Sequence, residues 1–238
     1  MFATAFDIII RYHEGFLNGL AVTLQMSGIV WLLGLMLGSL LGWAGSVERR
    51  YIGRPSRIFS FILGAVPTLV FLFWLHYPAQ AMFNVVIDPF YTATFTFTIL
   101  NIFGVADIVR GAMDDFPKQF LTAAKVCGLS QKQTLLKIQF PILLRMTLPA
   151  LMLLQVAMLH MTLFSSLISV EELFRVAQRI NAQIYKPVEI YTALGFFFLA
   201  GLLTRTFNLP VVFMAVFVLV KILVDIHIYQ KGRGRMLQ

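Results

Sequence analysis

Residues 122–141, TAAKVCGLSQKQTLLKIQFP, are a polar island in a chain that is otherwise nearly continuous hydrocarbon. Of the 238 residues, 59% are apolar and 13% charged, against roughly 45–50% and about 25% in a soluble domain. No Asp, Glu, Lys or Arg falls within 15–47, 58–87, 89–106, 146–170 or 190–204. Each gap approaches or exceeds the roughly 20 apolar residues that carry a helix across a bilayer core. The expected fold is therefore an all-α integral membrane protein of about five transmembrane helices, with 1–238 as a single membrane domain. The first sixteen residues contain Arg11 as their only Lys or Arg, beside Asp7 and Glu14, so no cleavable leader is expected.

The net charge is +8. Nucleic acid is not the partner this implies, because in a membrane protein Lys and Arg sort to the cytoplasmic loops. With five spans, the loops at 48–57 and 107–145 and the tail after about 220 share one side and hold fourteen of the nineteen basic residues. That side is expected to be cytoplasmic, with the N-terminus outside and the C-terminus inside. Cys127 is the only cysteine, which excludes an internal disulfide, and it is expected to be a buried small residue.

Local patterns refine the spans. FATAFDIIIRYHEGF (2–16) suits a short interfacial helix. Gly34, Gly38 and Gly42 form a small-residue stripe for close helix packing. Pro67, in GAVPTLVFLFW (64–74), predicts a bend in the second span. Thr92, Thr94, Thr96 and Thr98 can return their hydroxyls to their own helix, and Asn101 follows them as a candidate pathway residue. Residues 190–228 would make a helix of about 58 Å, interrupted by Arg205, Asn208 and Pro210; one span continuing as a bent or interfacial helix is expected.

The island itself encodes two helices. Asp114, Asp115 and Pro117 resemble a helix start, and Phe120, Ala123, Ala124 and Cys127 recur at i, i+3, i+4 and i+7 as a mostly small-sided face. Gly128 ends that helix, Ser130 and Gln133 form an S-x-x-Q capping box for the next, and Pro141 is expected to stop it. Periodicity alone leaves two alternatives: a lever docked into another protein, or a connecting loop resting on the membrane.

Spacing distinguishes them. The stretch resembles E-A-A-x3-G-x9-I-x-L-P, the cytoplasmic signature of ATP-binding-cassette (ABC) importer permeases, with Ala123, Ala124, Gly128, Ile138 and Pro141 in register. Thr122 replaces the glutamate and Phe140 the leucine. GFLNGLAVTLQMS (15–27), VPTLVFLFWLHY (66–77), DIVRGAMDDFPKQ (107–119) and LHMTLFSSLISVEELFRVAQ (159–178) are similar to successive segments of the polar amino-acid permeases of the histidine, glutamine, arginine and opine type. Gly64, Val66, His160 and Met161 depart from that pattern, and Asp107 stands for its glutamate.

The resemblance implies a type I importer permease fold in a bacterial inner membrane, moving a small polar solute such as an amino acid or derivative. It implies that a coupling helix, with Thr122, Ala123, Ala124, Lys125, Gly128, Ile138 and Pro141, meets a cytoplasmic ABC ATPase dimer. ATP and Mg would be bound by that partner, since this chain has no G-x-x-x-x-G-K-[ST] loop. A second permease subunit, homologous or identical, a periplasmic or extracellular solute-binding protein and membrane lipid complete the expected partners. Charged or polar groups within the bilayer are functional candidates: His160, Thr162, Arg205 and Asn101 for the solute pathway, and Asp107 with Arg110, three apart, as a structural ion pair. Glu171 and Glu172 suit a solvated helix start. No metal site or catalytic constellation such as HExxH is evident. An ion-gradient transporter would call for inverted repeats and paired mid-membrane acids, and neither is found; a non-transporting scaffold is the other alternative.

Overall fold

A computed structural model describes residues 2–199, with side chains from Asp7 onward. The expected bend across 190–228, Arg205, Asn208, Pro210 and the basic tail thus lie outside the described residues, apart from the start of that segment. The described elements are helical throughout. Short α1 (Phe2–Arg11) leads into α2 (His13–Val47), followed by a π-helical turn (Arg49–Gly53) and α3 (Arg54–Ala65). Then come α4 (Thr68–Trp74), a second π turn (Leu75–Ala79) and α5 (Gln80–Phe83). Helix α6 (Pro89–Asp114) returns across the fold to α7 (Lys118–Val126) and α8 (Gln131–Thr134). A third π turn (Leu135–Gln139) joins α8 to α9 (Phe140–Met161), which tightens into a 3₁₀ turn (Thr162–Ile168). Amphipathic α10 (Leu173–Ile184) and apolar α11 (Pro187–Leu199) follow.

Three continuous helices, His13–Val47, Pro89–Asp114 and Gln131–Ile168, are long and apolar enough to cross a membrane, and a fourth span results if the bent pair Arg49–Ala65 and Thr68–Phe83 is counted as one. The bend in that pair is 95°, a full break where the sequence predicts a bent span. Its cause is local. The residue before a proline is disfavoured in the helical region, and Val66 is extended at φ −88° and ψ 125° before Pro67, which starts the next helix.

The α2–α6 pair is the axis of the fold, and glycine sets its spacing. A Cβ on Gly34 would lie 2.1 Å from Asn101 Nδ2, one on Gly38 2.6 Å from Ile102 O, and one on Gly42 2.7 Å from Ala106 O. Within lipid there is no hydrophobic drive between helices, so such backbone-to-backbone approach supplies the attraction. Around it Val30, Trp31, Leu35, Phe97, Val105 and Leu151 form the buried core.

The threonine row is mostly self-satisfied: Thr94 Oγ1 donates to Phe90 O at 2.7 Å and Thr96 Oγ1 to Thr92 O at 2.7 Å. A second cluster buries Leu173, Val176, Ala177 and Ile180 of α10 against Phe16 and Ile8. Glu172, expected to be solvated, is buried at the start of α10, and its carboxylate accepts from the N–H groups of Phe174 (2.9 Å) and Arg175 (2.8 Å). The amphipathic helix must pack its N-terminus against α2, and that brings its cap residue inside; Glu171 stays exposed and pairs with Arg179 at 2.9 Å.

Candidate functional site

The loop after α6 is organised by caps. Pro117, extended at ψ 110°, starts α7. At its other end Leu129 N–H reaches Ala124 O and Gly128 N–H reaches Lys125 O, both at 3.0 Å. This is the paired closure of a glycine-capped helix, and Gly128 adopts the left-handed φ of +68° that the closure requires. Two residues later Ser130 Oγ accepts from Gln133 N–H at 3.3 Å while Gln133 Oε1 accepts from Ser130 N–H at 3.0 Å. Helix, turn and helix are thus locked by hydrogen bonds on both sides of Gly128.

Four expectations for this loop are corrected. Cys127 is exposed, not buried, because it caps α7 at its outer edge. The small-sided face divides: Ala124 is buried, whereas Ala123, Phe120 and Cys127 are exposed. Val126 is 83% exposed, Thr122 and Lys125 are exposed, and together with Ala123 and Cys127 they give α7 an open surface of short side chains and one charge. Pro141 does not end the second helix. The π turn Leu135–Gln139 widens the coil immediately before it, so the ring enters the first turn of α9 and the helical run continues from Gln131 to Ile168. Ile138 is half-buried in that turn and Pro141 is exposed. Asp114, expected to help start α7, instead closes α6 and takes Arg49 at 2.6 Å and Arg57 at 3.5 Å.

The three pathway candidates among the described residues, Asn101, Thr162 and His160, are not brought together. Asn101 is fully buried: its Nδ2 donates to Val30 O and to Gln155 Oε1, both at 2.9 Å, and its Oδ1 accepts from Gln155 Nε2 at 3.0 Å. Its amide holds α2, α6 and α9 together. Thr162 is likewise fully buried and donates to Leu159 O at 2.7 Å, as a β-branched hydroxyl in a helix readily does. His160 points the other way, exposed among Leu153, Phe164 and Leu167 on α9 and its 3₁₀ extension. Arg205 lies outside the described residues. Asp107 and Arg110 are bonded to each other; Arg110 is buried and also donates to Gly53 O at 3.2 Å, and Ser60 donates to the other oxygen of Asp107.

Sequence reasoning missed Gln155, although an amide alone within the uncharged stretch 146–170 is a signal that some partner must meet it in the membrane interior. It also missed that Arg49, Arg54 and Arg57 converge with Arg110, since these join only when the turn after α2 packs against α6.

Residues 34–226 match the family of binding-protein-dependent transport system inner membrane components. The chain belongs to that family. The permease is 29% identical over 194 residues to the glutamine transport system permease protein GlnP of Escherichia coli K12, covering 81% of this chain and 89% of the relative. It is 33% identical over 157 residues to the L-cystine permease TcyB of Bacillus subtilis, 64% of this chain and 66% of that one. A crystal structure of an amino acid ABC transporter with histidines shares the fold at a TM-score of 0.74 and 21% identity, covering 91% of this chain and 97% of that one. The MetNI methionine transporter follows at 0.67 and 17%, covering 87% and 98%.

The permease is thus a transport subunit of an ABC importer in a bacterial inner membrane, consistent with a translocation pathway coupled to an ATPase. ATP hydrolysis resides in a separate subunit of such systems, and a solute-binding protein is the other partner that family membership implies.

Proposed function

We propose that the permease imports an amino acid or amino-acid derivative, with α7 as its coupling helix. One observation motivates the solute class: the relatives' names specify glutamine, L-cystine, octopine, nopaline and the histidine, lysine, arginine and ornithine group, all of them amino acids or amino-acid derivatives. The doubly capped turn at Gly128 is the observation that carries the coupling role, because it leaves Thr122, Ala123, Lys125 and Cys127 exposed on a helix whose angle to the spanning α9 is held by hydrogen bonds.

In this proposal α7 seats in a groove of a cytoplasmic ATPase dimer, which binds ATP and Mg. Closure of that dimer moves α7, and the rigid turn passes the motion to the membrane helices. The N-terminus is outside and the C-terminus inside. A second permease, identical or homologous, packs beside the exposed face of α9 that carries His160, and a binding protein delivers solute from the periplasm or exterior. His160 and Arg205 are the residues proposed to meet solute.

Replacing Gly128 with valine tests the coupling. The left-handed φ of +68° excludes a β-branched side chain without strain, so the turn must open. With the assembled transporter in proteoliposomes, ATP hydrolysis is expected to continue while solute uptake falls at least about tenfold, the factor equivalent to about 1.4 kcal/mol lost from the transmitting turn. Uptake and hydrolysis that stay in their normal ratio would remove the basis for the coupling role.

A further inference from the structure

We infer that the arginine-lined crevice beside the α2–α3 turn is a binding site for the phosphate headgroup of an anionic phospholipid. The end of α2, the π turn, the start of α3 and the last turns of α6 line an open-sided crevice of about 230 Å³ between Arg49, Arg54, Arg57, Arg110 and Asp114. That is below the roughly 300–1,000 Å³ of a site for a drug-sized molecule, and it suits a phosphodiester and its short headgroup. The crevice exists because Gly45 and Gly53 meet at their backbones: a Cβ on Gly53 would lie 2.3 Å from Gly45 O. With no side chains between them, the arginines on either side of the contact are drawn together.

The charges do not balance. Asp107 is occupied by Arg110 and Ser60, and the single carboxylate of Asp114 is shared by Arg49 and Arg57. Arg54 lines the same space without an ion-pair partner among the described residues. Four guanidinium groups thus face two carboxylates, an excess of two positive charges. The pairs to Asp114 are also exposed, with the side chains of Arg49 and Arg57 72% and 67% accessible, so they hold weakly and can admit a competing anion. Guanidinium groups bind phosphate oxygens through paired N–H donors.

The surroundings decide between a lipid and a soluble anion. From the crevice α3 continues through Ile58, Phe59, Phe61 and Ile62, all more than half exposed, and Tyr51 stands exposed on the π turn. A charged crevice followed by an apolar helix surface has the shape of an amphiphile, with the phosphate among the arginines and the acyl chains along α3. The sorting of basic residues to one side of the membrane accounts for arginines in this loop, but not for their convergence on one crevice.

Native mass spectrometry tests the site. The permease, purified with its co-purifying subunits into micelles containing equal amounts of phosphatidylglycerol and phosphatidylcholine, is expected to retain phosphatidylglycerol preferentially. At about five-fold in affinity for each basic residue near an anionic lipid, the double variant Arg54→Gln/Arg57→Gln should lower that retention roughly 25-fold. Arg179→Gln, on the far end of the fold, should leave it unchanged. Equal retention of the two lipids by the unaltered protein overturns the proposal without reliance on any variant. So does undiminished phosphatidylglycerol retention in the double variant, and so does complete release of the lipid by excess inorganic phosphate, which would mark a soluble-anion site.

Discussion

Separating the paired amides of Asn101 and Gln155 should produce a strongly non-additive loss of stability. Each side chain is fully buried, and the two exchange hydrogen bonds in both directions at 2.9 and 3.0 Å, with Val30 O receiving a further N–H at 2.9 Å. Asn101→Leu would leave the Gln155 amide with neither partner nor water, a penalty of about 1–3 kcal/mol for an orphaned buried polar group. Gln155→Met would orphan Asn101 to a similar degree, although its bond to Val30 O survives and places that variant at the lower end. The double variant removes both amides, and apolar replacement of both partners is nearly neutral. The coupling between the two sites should therefore be about 1–2 kcal/mol, near the upper end of what interhelical hydrogen bonds contribute in membranes.

The measurement is reversible unfolding of the permease in mixed micelles with increasing sodium dodecyl sulfate, followed by circular dichroism for all four proteins. The double variant should be more stable than the sum of the single effects predicts, and no less stable than Asn101→Leu alone. Single effects that add to within about 0.5 kcal/mol, the behaviour of independent sites, would refute the idea that this amide pair joins α6 to α9.

Three other outcomes follow from the structure. Gly38→Leu, which forces atoms into a position 2.6 Å from both Ile102 O and Val105 Cβ, should destabilise by about 1–3 kcal/mol through overpacking, whereas Gly64→Leu, with nothing within 4 Å, should be near neutral; the same unfolding assay separates them. Glu172, outside the spanning helices, is pushed up from 4.5 to about 7 chiefly by burial, against the N–H bonds from Phe174 and Arg175 and the hydroxyl of Thr23. Because the folded protein holds this proton more tightly than the unfolded chain, its contribution is full below about pH 4.5 and is lost as pH rises through about 7; the midpoint of the native protein should therefore fall relative to that of Glu172→Gln over that interval, and a constant difference would count against burial of an ionisable group there. A thiol-reactive maleimide should label exposed Cys127 in the isolated permease and label it several-fold more slowly once the ATPase is bound, as expected when a docked surface excludes solvent; equal rates would place the ATPase elsewhere.

Much of the loop after α6 was legible because its signals are short-range. A left-handed cap at Gly128 and a reciprocal box between Ser130 and Gln133 depend on residues two to five apart, and both form as their residue types require. Pro141 misled for a related reason. Its inability to donate is local, but a π turn ending two residues earlier absorbs the ring, and no residue type announces that turn. Cys127 and Glu172 misled because exposure belongs to neighbours far away in sequence: Glu172 is buried only through packing of α10 against α2.

Taken alone, the order of residues determined that the chain is helical and membrane-embedded, since a bilayer tolerates little besides apolar helices of sufficient length, and that its polar island carries a capped helical turn. Tertiary structure decided which polar groups meet. Asn101 finds Gln155 54 positions away, and Arg110 finds Gly53 57 positions away; both meetings require helices whose glycine faces allow contact at a particular depth and rotation. Helical periodicity specifies which face a residue occupies, but the partner on that face is chosen by how whole helices pack, and that is a property of the assembled chain.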